Sequence, residues 1–279
     1  MAIITFYTDG KDQTGNTTSA MALATYLGIV HNKKTLLIST SFNDNQLKEA
    51  LWQNQNKKKS GLFGPNNSSV NDNGIEGLDR IMRSNKISPD IITDYAKVAL
   101  KNRLEILFGY HGDKKQYEEI QTRYTQLLML ASQSYNNVVV DLDNELNPKT
   151  KTDILEVSDI VIAMTTQRAE NITDISEKIN GGTVFKKVNS IMTIGNYDAN
   201  SKYNIKNISR NLLKQKNFIN TIPHNTILFE AMQEGQVIDI FIKFLGLKIK
   251  DENTFFIDEI KRLNESIEEK ILAIRRMGM

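Results

Sequence analysis

The sequence predicts an α/β fold in which a doubly wound, mostly parallel sheet is flanked by helices. Short runs of β-branched and aliphatic residues recur along the chain, each bounded by turn or capping residues, as is typical of strands buried on both faces. Segments with a helical pattern lie between them, and this alternation favours parallel strands joined by helices. The chain has 279 residues, of which 40% are hydrophobic, so it can bury a core of this kind.

The elements are expected in a simple order along the chain. The clearest strands are four short aliphatic segments, at residues 3–7, 35–38, 138–140 and 160–164. Three further segments bring the sheet to about seven strands, namely residues 104–107, 190–194 and 218–222. Helical patterns occupy residues 18–30, after the first strand, and residues 117–133, before the strand at 138–140.

Residues 53–74 interrupt this alternation. The segment is rich in Asn, Lys, Ser and Gly and contains one proline. Such a composition buries too little apolar surface to offset the entropy of ordering the chain. We therefore expect a mobile surface excursion here rather than another layer of the fold.

Composition excludes several classes of protein. The absence of cysteine excludes disulfides, thiolate metal sites and a cysteine nucleophile, and the three histidines are too scattered to favour a metal cluster. With 35 basic and 33 acidic residues, the chain has no global attraction to nucleic acid. No basic leader and no apolar run approaching the roughly 20 residues of a spanning helix is present. These features predict a cytoplasmic protein.

The first strand is followed by a glycine loop with the spacing of a phosphate-binding loop. Residues 10–18 read GKDQTGNTT, which is G-x-x-x-x-G-K-[ST] with the lysine replaced by Asn16. Gly10 and Gly15 would let the backbone wrap a phosphate, with the N–H groups of the helix start aimed at the anion. Thr17 would offer its hydroxyl to Mg²⁺.

The loop lacks the ammonium group that reaches the outer phosphates. Asn16 can replace the hydrogen bond of that lysine but not its charge, so affinity is expected to survive better than catalysis. Thr14 and Thr18 complete the loop residues that we expect to contact a nucleotide. The alternative is an ordinary capped turn between a strand and a helix, because short motifs also arise by chance.

Four features in order along the chain resemble the MinD/ParA family of P-loop NTPases. Lys11 lies where that family carries the signature lysine of its deviant Walker A motif. Residues 136–141, NNVVVD, resemble the family's Walker B strand, and residues 158–162, SDIVI, resemble the strand that follows it. Residues 221–237, which contain Thr-Ile-Pro-His-Asn and end in Glu-Gly-Gln-Val, resemble its C-terminal motifs and add Pro223 to the candidate nucleotide contacts.

The resemblance implies a domain organisation, cofactors and an oligomeric state. Residues 1–247 would form a P-loop NTPase-like domain, and residues 248–279 a C-terminal helical extension. ATP or ADP would bind with Mg²⁺, and the protein would be a homodimer in which Lys11 reaches the phosphates bound to the partner. Lys11 could instead be a solvated loop residue.

The resemblance also assigns the metal site and casts doubt on hydrolysis. Asp141 and Thr17 would bind Mg²⁺ directly or through water, with Asp143 assisting, although Asp141 could instead cap the next helix and Thr17 could be a plain cap. Family members usually have D-x-D after the second strand, where this sequence has Ser39 and Ser41. Without those carboxylates and the lysine, hydrolysis should be very slow or absent.

Within the family, the chain resembles the CpaE/TadZ branch, which helps to position pilus-assembly machinery. The segments 77–79 and 103–107 carry this likeness. It implies a dimeric switch or scaffold that localises a pilus or secretion-type machine, with a peripheral position at the membrane or cell pole through its partners. The alternative is a partition-type ATPase that binds DNA non-specifically.

One surface of a predicted helix is basic and has two interpretations. A basic stripe opposite Ile205, Ile208 and Leu212 is either a solvated helix face or a patch for DNA or acidic lipid. Its members are Lys202, Lys206, Arg210 and Lys214.

The C-terminal segment has an amphipathic helical pattern. Its apolar positions are Ile257, Ile260, Leu263, Ile267, Ile271 and Ile274. Residues 257–279 carry five acids and five bases, whereas membrane-surface helices usually have a basic excess. We therefore expect this helix to pack against the domain, a dimer mate or a partner.

Overall fold

The structure is a computed structural model of the chain. It describes residues 1–10, 13–31, 33–52, 74–84, 88–181, 185, 188–211, 219–248 and 250–277. Nearly all of the expected excursion at residues 53–74 lies outside these ranges.

The described residues form one eight-stranded sheet. Its strands are β1 (Ala2–Tyr7), β2 (Thr35–Ser39), β3 (Lys97–Leu100), β4 (Leu104–Leu107), β5 (Asn137–Asp141), β6 (Ile160–Thr165), β7 (Ser190–Tyr197) and β8 (Ile219–Pro223). The spatial order is β3-β4-β2-β5-β1-β6-β7-β8, and every neighbouring pair is parallel except β3 with β4.

Helices flank both faces of the sheet. They are α1 (Asn16–Val30), α2 (Gln46–Leu51), α3 (Ile75–Arg83), α4 (Ile91–Tyr95), α5 (Lys114–Gln121), α6 (Tyr124–Ser134), α7 (Pro148–Val157), α8 (Ala169–Gly181), α9 (Ile205–Asn211), α10 (Thr226–Glu234), α11 (Val237–Leu245) and α12 (Glu252–Met277). The predicted fold class and all seven predicted strands are confirmed.

Two elements differ from the prediction. β3 is an additional strand, a short antiparallel edge that was not expected. The helix predicted at 117–133 is two helices, because the chain turns at Thr122 and Arg123. Arg123 places its Nη1 atom 2.5 Å from the Asp79 carboxylate, an ion pair between distant parts of the chain that a local pattern does not reveal.

Alternate residues along the strands contribute to two apolar cores, one on each face of the sheet. On β5, Val139 joins the core beneath α1, α10, α11 and α12, whereas Val138 and Val140 join the core on the opposite face. Every strand except the edge strand β3 therefore holds buried apolar side chains on both sides, which is the pattern that predicted a doubly covered sheet.

The C-terminal helix α12 packs on its own domain. Phe256, Ile260, Leu263 and Ile267 are buried in the same core as α1, and α12 contacts β8, α1 and α11. The sequence left three packing partners open for this helix: the domain, a dimer mate or another protein. The structure shows the helix packed on the domain. In the described part of the chain, no helix is both long and apolar enough to cross a membrane.

Candidate functional site

The candidate residues meet at the carboxyl edge of the central strands. β1 lies between β5 and β6, and β2 lies on the far side of β5, so the connections from β1 and from β5 leave the sheet in opposite directions. In open α/β sheets, a crevice at such a switch point is the usual place for a ligand. The loop between β1 and α1 lies at this edge, and Asp141 ends β5.

Both loop glycines have backbone angles that favour glycine. Gly10 has φ 78° and Gly15 has φ 70°, in the left-handed region that side chains disfavour. Gly15 directly precedes α1 and has no side chain to cap it. The first N–H groups of α1 therefore face the crevice edge without a cap from Gly15, an arrangement suited to an anion. Lys11 lies outside the described residues.

The end of β7 supports this loop from the side. A Cβ atom on Gly195 would lie 1.9 Å from the carbonyl oxygen of Thr14, so only glycine fits against the loop. Asn196 donates from Nδ2 to the carbonyl of Gln13 at 3.0 Å and holds a positive φ of 47°. Neither residue was predicted from the sequence, although a Gly-Asn pair directly after a predicted strand is a usable signal.

Asn16 bridges the start of α1 to β5. Its Nδ2 atom donates to Asp141 Oδ1 at 2.8 Å and makes a longer contact of 3.4 Å with the carbonyl of Phe6. Its Oδ1 atom is buried and has no hydrogen-bond partner among the residues that the structure describes. The amide that stands in place of the usual lysine therefore binds a carboxylate of its own chain.

Asp141 is a buried carboxyl group with no cationic partner among the residues that the structure describes. Burial raises its pKa from the ordinary 3.8 to about 6, while hydrogen bonds from Thr17 and Asn16 oppose the shift. The nearby charges of Asp143 and Asp44 raise the pKa further. A cation placed beside Asp141 would favour the charged form of its carboxyl group and lower its pKa.

Thr17 and Asp141 fit a magnesium site. Their hydroxyl and carboxylate line the same cleft and are the kinds of oxygen ligand that Mg²⁺ prefers. Within the described ranges, no group of three or more His, Cys, Asp or Glu side chains is placed to hold a metal by itself. Phosphate oxygens and water would therefore have to complete the coordination.

The other side of the crevice, at the end of β2, is lined by hydroxyl groups. Ser39 and Ser41 bond to one another through their Oγ atoms at 2.8 Å. They line a cleft together with Thr17, Asp44, Leu47, Phe108, Gly109 and Asp141. Asp44, which the sequence analysis did not consider, is exposed and accepts the backbone N–H of Gln46 at 2.8 Å.

Asp143 is engaged by the backbone. Its Oδ2 accepts from the N–H of Phe42 at 3.3 Å and its Oδ1 from the N–H of Glu145 at 2.9 Å. The N–H of Asp143 donates to Thr40 Oγ1 at 2.8 Å. Asp143 therefore ties the loop after β5 to the loop after β2, a role that its predicted assistance to the metal did not include.

The remaining candidates are not among the residues that line the cleft. Thr14 is buried in the loop, Thr18 lies half-buried in the first turn of α1, and Pro223 ends the edge strand β8. The basic stripe was wrong as a single helix face. Because α9 begins at Ile205, Lys202 precedes the helix and only Lys206 and Arg210 lie on it. Lys214 and Leu212 lie outside the described residues.

Comparison with solved structures gives the same fold at low sequence identity. MinD from Pyrococcus furiosus aligns with a TM-score of 0.65 and 15% identity, over 96% of this chain and 99% of that chain. A ParA family ATPase from Chlorobium tepidum gives 0.63 and 15%, over 97% and 98%. MinD from Pyrococcus horikoshii, complexed with Mg-ADP, gives 0.60 and 15%, over 96% and 95%.

The fold is that of the MinD and ParA ATPases. No protein-family model matches the chain, and no curated protein matches it. The MinD/ParA-type fold explains why residues distant in sequence meet here: parallel strands place Gly15, Asp141 and Gly195 at one edge. Nucleotide binding at these residues stays a prediction.

Proposed function

We propose that the protein is a nucleotide-binding switch of the MinD/ParA type that binds ATP or ADP with Mg²⁺ and hydrolyses ATP slowly or not at all. One observation carries the proposal. Gly10 and Gly15 adopt the left-handed conformation around an uncapped helix start, beside Thr17 and Asp141, which line the same cleft.

Binding relies on groups that the backbone supplies. The N–H groups at the start of α1 and the helix dipole attract phosphate without any charged side chain. Thr17 and Asp141 would hold Mg²⁺, which supplies positive charge to the phosphates. A lysine would add a charge-assisted bond that Asn16 does not provide.

Slow hydrolysis follows from the side chains that line the crevice. Phosphoryl transfer needs groups that orient water and offset developing charge, each typically worth several kcal/mol. Ser39 and Ser41 offer hydroxyls that bond to each other. Asp44 is the one additional carboxylate lining the described cleft besides Asp141, and it is exposed and bonded to the backbone of Gln46.

Isothermal titration calorimetry tests nucleotide binding directly. We expect Mg-ATP to bind with a Kd between about 1 μM and 1 mM. Gly15→Ala should weaken binding at least tenfold because its φ of 70° strains any side chain. Gly181→Ala is the matched control, since a Cβ atom there meets nothing within 4 Å. No heat and no thermal shift at millimolar ATP would remove the nucleotide from the proposal.

We further propose that the protein is a dimeric scaffold that localises an assembly machine of the pilus or secretion type. The sequence resemblance to the CpaE/TadZ branch supports this role. Two triphosphates at a dimer interface repel each other, and Lys11 from each subunit would offset that repulsion. Lys11→Ala should therefore weaken an ATP-dependent dimer more than it weakens ATP binding to one subunit. Sedimentation velocity with and without ATP measures the fraction of dimer. An ATP-dependent dimer that is unchanged by Lys11→Ala would contradict a nucleotide site shared between the subunits.

A DNA-binding partition ATPase is the second candidate. Lys202, Lys206 and Arg210 are exposed, and the sequence has no acidic residue between positions 199 and 229. A Lys206→Ala/Arg210→Ala variant should lose affinity for duplex DNA and reduce the salt dependence of binding. Lys261→Ala/Lys243→Ala, which removes two exposed lysines from other helices, is the control. Equal DNA binding by both variants contradicts this candidate.

A further inference from the structure

Asn16 binds the carboxylate on which the proposed metal site depends. The bond from its Nδ2 atom to Asp141 Oδ1, at 2.8 Å, joins the phosphate loop to the end of β5. Hydrogen bonds to charged groups are about twice as strong as bonds between neutral groups. A cation that binds this carboxylate must therefore compete with the Asn16 amide for Asp141 Oδ1.

The surroundings fix the orientation of the amide. Nδ2 lies near two acceptors, Asp141 Oδ1 and the carbonyl of Phe6. Exchanging the positions of the amide nitrogen and oxygen would place the amide oxygen, which cannot donate a hydrogen bond, next to both acceptors. In the orientation observed, Oδ1 is buried without a partner in the described part of the chain. The bond to Asp141 is thus kept although an acceptor of the same side chain stays unsatisfied, which normally costs stability.

We propose that Asn16 is a latch on Asp141, and that its amide must leave the carboxylate before a divalent cation binds there. The inference rests on the proposed function, because Asp141 is taken as the metal carboxylate. The amide hydrogens carry partial positive charge and lie on the oxygen that a cation would approach, so amide and cation compete for it. Thr17 stays available to both arrangements because a hydroxyl can donate to the carboxylate or present its lone pairs to the metal.

The latch makes cation binding conditional on nucleotide. A cation alone must break the bond between Asn16 and Asp141, with few protein ligands to compensate. A cation that arrives with phosphate oxygens gains further ligands, and the freed amide can donate to a phosphate. The site would therefore load cation and nucleotide together and would hold a free cation weakly.

Mn²⁺ alone is the probe that tests this latch. The decrease of the electron paramagnetic resonance signal of free Mn²⁺ gives a Kd without nucleotide. We expect Asn16→Ala to bind Mn²⁺ about tenfold more tightly than the wild type, as loss of one charge-assisted hydrogen bond predicts. Asn16→Leu, which keeps the side-chain shape, should show the same gain. Asn137→Ala is the matched control, since Asn137 starts β5 and its amide contacts Thr35 instead. Asp141→Asn should abolish the binding.

Each outcome decides the proposal. Weaker Mn²⁺ binding by Asn16→Ala would make Asn16 a metal ligand and overturn the latch, and so would equal binding by variant and wild type. Absence of binding in every variant overturns it as well. Calorimetry with ATP on the same proteins separates the two proposals. If the wild type binds no ATP but Asn16→Ala still gains Mn²⁺, the latch stands and the nucleotide function fails.

Discussion

The two sides of the crevice differ in the kind of group that they offer. On the side of β1 and α1, the features that suit a nucleotide are mostly backbone: glycines with positive φ, an uncapped helix start and a loop wedged against Gly195. On the side of β2, catalysis would need side chains, and the positions hold Ser39 and Ser41 bonded to each other.

This difference shows which parts of such a site can change without loss of the fold. A backbone cradle is tied to strand packing, so it persists as long as the sheet does. The side chains of Ser39 and Ser41 bond to each other on the other side of the cleft, so we expect them to be replaceable without a change in the glycine loop. We therefore expect nucleotide binding and catalysis to depend on different residues, and the following predictions test this division.

The largest effect is expected at Asp141, as a change of stability with pH. Its folded-state pKa of about 6 lies above the ordinary 3.8 because of burial, so the charged form is disfavoured in the native protein. The stability that this group contributes is fully present below pH 3.8 and is lost as pH rises through about 6. Without Mg²⁺, Asp141→Asn should gain up to about 3 kcal/mol relative to the wild type between pH 4 and 8.

Urea denaturation in EDTA measures this effect. The free energy of unfolding of both proteins is compared at intervals between pH 4 and 8. Parallel profiles would mean that burial does not disfavour the charged carboxylate. Added Mg²⁺ should reduce the difference at pH 8, because a cation beside Asp141 favours its charged form.

The second effect concerns hydrolysis and combines both sides of the crevice. Asn16→Lys alone should leave ATP turnover near background, because the β2 side still lacks carboxylates. Adding Ser39→Asp and Ser41→Asp should raise the rate by about 100-fold, the usual lower bound for a carboxylate that positions and deprotonates water. Phosphate release measures turnover. Robust hydrolysis by the wild type or by Asn16→Lys alone would contradict the assignment of the β2 side to catalysis.

The third effect tests the support beneath the loop. In Gly195→Ala the new Cβ atom would lie 1.9 Å from the backbone oxygen of Thr14, so the loop must move. We expect a loss of about 1–3 kcal/mol in unfolding free energy, as for other overpacked sites. ATP affinity should fall at the same time. Gly181→Ala is the control, because a Cβ atom there meets nothing within 4 Å. If both variants have the same stability and the same ATP affinity, the contact of β7 with the loop does not support the site.

The sequence predicted the sheet and the loop because both are local patterns. Aliphatic runs marked the strands, and the spacing between Gly10 and Gly15 marked the glycine loop between β1 and α1. The missed features depend on contacts between distant segments. The contact of Gly195 with Thr14 and the position of Asp44 in the cleft appear only after the strands are ordered. Likewise, the break at Thr122 accompanies an ion pair with α3.

The smallest effect is expected from two hydroxyl groups that line the same cleft from opposite sides. Thr17 lies beside Asp141 in the lining of the cleft, whereas Ser39 Oγ bonds to both the hydroxyl group and the backbone N–H of Ser41. Thr17→Ala should lower Mg-ATP affinity about tenfold, since it removes one of the two proposed magnesium ligands. Ser39→Ala should leave affinity within about twofold and stability within about 0.5 kcal/mol, because Ser41 can turn to solvent. Calorimetry with Mg-ATP and thermal unfolding measure both variants. If Ser39→Ala weakens binding as much as Thr17→Ala, the β2 side takes part in binding and the division between the two sides is wrong.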